Sequence, residues 1–242
     1  MGKGSGCGRT LGACYLGYVT QAVVNNLAPL LFLTFQNEFS ISFEKIAVLS
    51  SFNFAVQLAV DLAAARFADR IGYRVCIVSA HLFAAAGIAG LGLFPRLTPD
   101  PFWGLLLAVA LYAVGGGLIE VLVSPIAEAC PTPNKASVMS FLHSFYCWGQ
   151  VLTVALSTLF FSLAGMERWP LLPLLWAAVP LAGAACFSRA PLFPLTPDGK
   201  SLPLRSLLRR GSFWLFILLL LCSGAAEQGM SQWASAFAEA GL

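Results

Sequence analysis

The sequence predicts an all-α membrane protein, a bundle of seven transmembrane helices. Apolar residues make up 58% of its 242 residues and charged residues only 10%. A soluble domain carries about 25% charged residues to cover its water-facing surface. Mean hydropathy is +0.80. The apolar residues also gather into seven stretches, each about 20 residues long, the length that crosses the hydrocarbon layer as a helix.

The expected spans are 10–35, 45–68, 73–94, 102–127, 137–164, 169–188 and 211–236. Charges and turn formers mark the breaks: Asn37-Glu38, Asp69-Arg70, Pro95-Arg96, Pro131-Thr132-Pro133-Asn134 and Glu167-Arg168. Residues 1–10 are short, weakly basic and read as a cytoplasmic tail. The apolar run after them is too long for a signal-peptide core and lacks a small-residue cleavage site. Residues 189–210 hold Pro191, Pro194, Pro197 and Pro203 with five basic residues. Prolines at that density break a helix, so this segment reads as a linker. The expected organisation is a six-helix bundle over 1–188, a cytoplasmic linker over 189–210 and a seventh helix within 211–242.

Lysine and arginine orient the bundle, because cytoplasmic loops are enriched in them. With the N-terminus inside, the inner segments hold Lys3, Arg9, Arg66, Arg70, Arg74, Lys135, Arg189, Lys200, Arg205, Arg209 and Arg210. The outer loops hold only Lys45, Arg96 and Arg168. The expected location is the cell membrane, multi-pass, with the lipid bilayer as solvent. The net charge of +3 gives no reason to expect a nucleic-acid partner. The seven cysteines are scattered, with no C-x-x-C pair. Neither a disulfide framework nor a zinc site is expected from that spacing.

Ionisable groups at membrane depth are costly, and they tend to face a cavity and work there. Asp61 in span 2, Glu120 in span 4 and Glu227 in span 7 qualify. Glu120 is a candidate for reversible protonation; the alternative is a hydrogen-bonded carboxyl joining two helices. Asp61 has a further alternative, an ion pair with Arg66. Neutral polar residues form stripes beside these acids. Gln21 and Asn25 are four apart in span 1 and share a face, with Asn26 beside them. His143, Tyr146, Cys147 and Gln150 share one face of span 5. Gln228 and Gln232 repeat the spacing in span 7, beside Glu227 and Trp233.

Amides and a phenol each offer a donor and an acceptor, which suits a solute rich in hydroxyls. The candidate solute-binding set is Gln21, Asn25, Asn26, Glu120, Tyr146, Gln150, Glu227 and Gln228. For any single amide the alternative is a bond between helices. His143 lies near the inner end, where water can solvate it, and His81 reads as structural. Gly115-Gly116-Gly117, Pro173 and Pro180 lie inside spans, where small residues allow close helix approach and prolines bend helices. No P-loop, G-x-S-x-G, H-E-x-x-H or dinucleotide-binding fingerprint is present. Neither an enzyme nor a resident cofactor is expected.

The loop between spans 2 and 3 runs Ala65-Arg66-Phe67-Ala68-Asp69-Arg70-Ile71-Gly72-Tyr73-Arg74. It resembles the major facilitator superfamily signature G-x-x-x-D-R/K-x-G-R/K-R/K. Asp69, Arg70, Gly72 and Arg74 match it; Ala65 and Tyr73 depart from it. Gly72 permits the tight turn, and Asp69 can accept from a helix N-terminus. By resemblance this loop is an inner gate made of Asp69, Arg70, Gly72 and Arg74.

Three further segments are similar to the fucose permease-like branch of that superfamily. They are Asn25-Asn26-Leu27, the stretch Gly115 to Pro125, and Leu142-His143-Ser144-Phe145-Tyr146-Cys147-Trp148-Gly149. Ser124 stands where that branch has Asn. The resemblance implies a secondary transporter working by alternating access. It would move a sugar or similar small polar solute with a cation, usually H+, and Glu120 would be the protonatable acid. Some members carry an acid just after the Asn pair, where this chain has Leu27-Ala28-Pro29. A proton relay through span 1 is therefore not implied.

The resemblance also implies twelve helices in two halves. The chain is expected to be the N-terminal half plus the seventh helix, truncated from twelve, with the C-terminal half as its missing partner. Export of drugs or metabolites on the same fold is one alternative. A non-transporting or dimerising half-molecule is another.

Overall fold

The computed structural model describes residues 3–195, 206 and 208–241, with side chains except at 3–5, 65, 69, 228, 231, 232 and 234–241. The helices are α1 (Lys3–Leu30), α2 (Phe32–Phe39), α3 (Phe43–Ile71), α4 (Tyr73–Leu93) and α5 (Pro101–Ala129). They continue with α6 (Lys135–Ala164), α7 (Leu171–Trp176), α8 (Ala178–Arg189) and α9 (Gly211–Gly241). The chain divides into two compact units, Met1–Phe193 and Pro194–Leu242. The first unit holds α1 to α8; α9 lies in the second.

Local chemistry sets the helix starts. Ser42 accepts the Lys45 amide ahead of α3, and Asn134 accepts the Ser137 amide ahead of α6. Asp100 accepts from the Phe102 amide, with Pro101 following at the first helical position. Each side-chain oxygen satisfies an amide that lacks a partner within its own helix, and proline there loses nothing. Gly72 adopts φ +99° between α3 and α4, a conformation that favours glycine. The glycine in the gate-like loop is thus set by the turn.

Two expected spans are interrupted. Span 1 becomes α1 and α2, bent by 41°. The break at Leu31 follows Pro29, and the Leu31 amide turns back to the Ala28 carbonyl at 2.9 Å. Span 6 becomes α7 and α8, interrupted at Ala177. Pro180 has no N–H to offer the carbonyl four residues earlier, so the helix slackens there.

Among the described residues, five helical segments are long and apolar enough to cross a membrane, or six with α1 and α2 taken as one bent span. The apolar part of α9, Gly211–Glu227, is shorter than such a span. Asparagines and glutamines lie in the interior of the first unit, including Gln21, Asn25, Asn53 and Gln57. Its exposed surface carries large apolar side chains such as Leu62, Val75, Trp148, Val151 and Leu163. That inversion fits a protein whose outer solvent is lipid.

Within the first unit α5 is central and packs on α4, α3 and α1; α1 also packs on α6 and α8. Glycines set the close approaches. A Cβ at Gly87 of α4 would lie 2.2 Å from the Tyr112 amide nitrogen of α5. Arg74 ties α4 to the end of α8, donating to the carbonyls of Phe187 at 2.8 Å, Ser188 at 2.9 Å and Ala190 at 2.8 Å. Carbonyls at a helix C-terminus lack helical partners and carry partial negative charge, so a guanidinium suits them.

At the other end of the bundle Glu38 is paired with Arg96 at 2.9 Å and accepts the indole N–H of Trp169. Arg96 also lies over the Trp169 ring, 5.7 Å from its centre. All seven cysteines are free.

Candidate functional site

The site grows out of Gly115-Gly116-Gly117 in the middle of α5. Successive helical residues point about 100° apart, so the three glycines face three different neighbours. A Cβ at Gly115 would meet the Ala80 carbonyl oxygen and Ala84 amide nitrogen of α4, each at 2.5 Å. At Gly116 it would meet Val24 Cγ1 at 2.8 Å and Gln21 Oε1 at 3.2 Å, both on α1. At Gly117 it would meet the Gln57 carbonyl at 3.0 Å and Asp61 Oδ1 at 3.2 Å, both on α3. The glycines therefore draw three helices onto α5, one turn before Glu120. That proximity puts polar side chains of α1 and α3 within reach of the carboxylate.

A continuous amide ladder follows. Gln21 Nε2 donates to Glu120 Oε2 at 3.1 Å and to Gln57 Oε1 at 3.2 Å. Gln57 Nε2 donates to Asn25 Oδ1 at 3.1 Å and to Asn53 Oδ1 at 2.9 Å. Asn25 Nδ2 donates to the Tyr146 hydroxyl at 3.3 Å. Alongside, the Tyr18 hydroxyl shares a hydrogen bond of 2.6 Å with Ser124 Oγ. The ladder joins α1, α3, α5 and α6. Gln21, Asn25, Asn53 and Gln57 are buried, whereas Glu120 is exposed. Satisfied amide networks of this kind hold side chains in fixed orientations.

The ladder unites Gln21, Asn25, Glu120 and Tyr146 from the sequence-predicted set. Asn26 sits apart, donating to the Ala22 carbonyl of its own helix at 2.8 Å. Gln150 is half-buried on α6, one turn beyond Tyr146. Glu227 is exposed on α9, and the Gln228 side chain lies outside the described residues, as does that of Asp69. Arg70 is exposed at the end of α3. His143 is exposed, its ring edge-on to Tyr18 at 5.3 Å.

His81 is fully buried. One ring nitrogen, Nδ1, is 2.8 Å from the Ile77 carbonyl, and the ring packs closely on Gly183. Asp61 makes no ion pair with Arg66 among the described residues. Its Oδ1 is buried without a hydrogen-bond partner.

Sequence reasoning missed Asn53 and Gln57. Their i, i+4 spacing repeats that of Gln21 and Asn25, and Asp61 extends it by another four residues. That stripe was the available signal. Tyr18 and Ser124 carried no signal, because their partnership crosses from α1 to α5.

Buried amides that lead to an exposed carboxylate, on helices whose other faces are apolar, fit a polytopic membrane protein with a polar candidate site. The chain matches the family profile of the Major Facilitator Superfamily over residues 14–242 and belongs to that superfamily. Membership identifies it as a membrane transporter by family. No curated protein matches the chain.

Proposed function

We propose that the protein is a secondary active transporter that moves a small polar solute, of the sugar class, together with a cation. The observation that carries this reading is the amide ladder that ends on Glu120. Each amide offers both a donor and an acceptor, so hydroxyls of a solute can exchange with the ladder's own bonds at little net cost. Glu120 supplies the one carboxylate of the ladder. By the resemblance described above, H+ is the coupling ion and Glu120 its carrier. Gln150 and Asn26 extend the polar set. The cell membrane, with a cytoplasmic N-terminus, agrees with the distribution of Lys and Arg. Asp69, Arg70, Gly72 and Arg74 then lie on the inner side as gate residues.

Alternating access needs a second bundle to move against the first. We assign α9, with Glu227 and Gln228, as a seventh span that opens such a bundle, joined through the linker over 189–210.

Aromatic rings favour a second reading, export of a flat organic cation. Tyr15 stacks on Phe145 at 4.6 Å, and Phe141 meets both rings edge-on at 5.4 and 5.2 Å. Aromatic faces suit a lipophilic cation. Equilibrium binding of labelled monosaccharides and of an aromatic cation to the purified protein separates the two. Sugar binding that Asn25→Leu abolishes supports the first reading. Binding of the aromatic cation alone would replace it with the second.

A further inference from the structure

Away from the ladder, a groove runs between α6 and the pair α7 and α8. Close neighbours of α6 are α1 and α5, whereas α7 packs on α4, and α8 on α4 and α1. The two sides of the groove therefore stand next to each other with little backbone contact. The Trp176 indole N–H donates to Ser157 Oγ at 3.0 Å and joins them. That bond satisfies the one polar group of the indole, so the ring offers the groove only apolar surface.

The cavity in the groove measures about 380 Å³, within the roughly 300–1,000 Å³ of small-ligand sites. Leu156, Leu159 and Leu163 of α6 line one side, and Leu175 and Trp176 of α7 with Val179 of α8 line the other. Every lining residue is apolar, so a hydroxyl-rich solute finds no partner there. Leu156 and Leu163 lie about 80–100° round α6 from Tyr146, which sets the groove apart from the ladder. From Leu156 to Leu163 the helix rises about 10 Å, a third of the roughly 30 Å hydrocarbon layer. That is too short to seat a spanning helix and long enough for part of an acyl chain.

Charge marks one end. The turn Met166–Arg168 connects α6 to α7, next to the lining residues Leu163 and Leu172. Arg168 is exposed there and makes no ion pair among the described residues. Arginine near the end of a spanning helix reaches for the interface, and its planar fork matches phosphate oxygens. An apolar slot with a free guanidinium at its head has the polarity of a phospholipid, with the chain in the slot and the phosphate at the cation.

We infer that this groove is a binding site for one membrane phospholipid, its acyl chain lying between α6 and α7 and its phosphate held by Arg168. The lipid completes the packing that α6 and α7 do not make with each other.

The test reconstitutes the chain in phosphatidylcholine vesicles, extracts it in mild detergent and counts retained phosphatidylcholine by native mass spectrometry across a detergent series. The wild type should retain one lipid per chain. Arg168→Gln, at an exposed turn, should lower the detergent concentration that halves retention by about threefold, as for an exposed ion pair. Leu159→Trp, which fills the groove, should lower it by about tenfold. Val154→Trp, about 140° round α6 from Leu159, should leave it unchanged. Melting curves of each variant separate lost binding from lost folding, and the Arg168→Gln comparison decides even where Leu159→Trp folds poorly. Wild-type retention no greater than that of Leu159→Trp would overturn the site. Retention unchanged in Arg168→Gln would overturn it too, since a detergent tail or free acyl chain would then serve equally. A lipid-free dimer of the wild type that Leu159→Trp abolishes would replace the lipid with a second copy of the chain.

Discussion

Gln21 of α1 donates to Glu120 of α5 at 3.1 Å, so the carboxylate of one span is held by the amide of another. The same amide reaches Gln57 of α3 at 3.2 Å. One side chain therefore couples three helices, and its placement depends on Gly116, where a Cβ would lie 3.2 Å from Gln21 Oε1 and 2.8 Å from Val24. Helix packing and site geometry are the same fact here. A change that separates α1 from α5 also frees the acid.

Gln57→Leu removes the hub of the ladder. It leaves the second N–H of Gln21 and the acceptors of Asn25 and Asn53 without their partner. Unsatisfied buried polar groups cost about 1–3 kcal/mol, and the melting temperature should fall accordingly. Solute affinity should fall about tenfold, the equivalent of roughly 1.4 kcal/mol. Thermal denaturation and equilibrium binding on the same sample measure both.

Gly115→Ala should destabilise the first unit by about 1–3 kcal/mol, because the added Cβ meets backbone atoms, which cannot rotate away. Those contacts are the Ala80 carbonyl and the Ala84 amide, both at 2.5 Å. Gly12→Ala should be tolerated, since nothing lies within 4 Å of its Cβ position. Detergent-solubilised melting curves of the two variants distinguish a requirement for close packing from a general preference for small residues.

Arg74→Ala removes the three bonds to the end of α8 and should cost about 2 kcal/mol. Arg74→Lys should recover only part of it, because an ammonium lacks the planar fork that reaches several carbonyls at once. Protease accessibility of the segment after Arg189 should rise in both variants, more in the alanine one.

Trp169→Ala should cost about 3–5 kcal/mol, the range for emptying a fully buried large aromatic site. Trp169 is 1% exposed and packs against Phe35 and Phe39. Glu38→Gln should cost less than about 1 kcal/mol, since its partner Arg96 is half exposed to solvent and surface ion pairs contribute little. A larger loss for Glu38→Gln would mean that this end of the bundle is drier than its exposure indicates.

The membrane-spanning character of α3 to α6 was legible in the sequence, because length and hydropathy follow directly from the thickness of the hydrocarbon layer. The breaks at Leu31 and Ala177 were not. Pro29, Pro173 and Pro180 were visible, but whether a proline bends, interrupts or merely sits in a helix depends on what repacks around it. Four of the ladder's six side chains were legible: Gln21 and Asn25 from their stripe, Tyr146 from the stripe of span 5, and Glu120 as an acid at membrane depth. Asn53 and Gln57 carried the same spacing but lay inside an apolar run that read only as a span. Which of Asp61's two candidate roles holds depended on α5. Only the approach at Gly117 shows that its carboxyl faces Glu120's helix instead of pairing with Arg66. The pairing of Glu38, Arg96 and Trp169 brings together three separate breaks between helices, and no local pattern announces such a meeting.

The measurement that tests the central claim most directly is solute accumulation by membrane vesicles or cells producing the protein, with wild type and Glu120→Gln compared under an imposed cation gradient. The account predicts gradient-driven accumulation by the wild type. In Glu120→Gln accumulation should be lost, while exchange of labelled for unlabelled solute continues, because the amide still accepts hydrogen bonds but carries no ion. Accumulation by Glu120→Gln equal to that of the wild type would contradict the account.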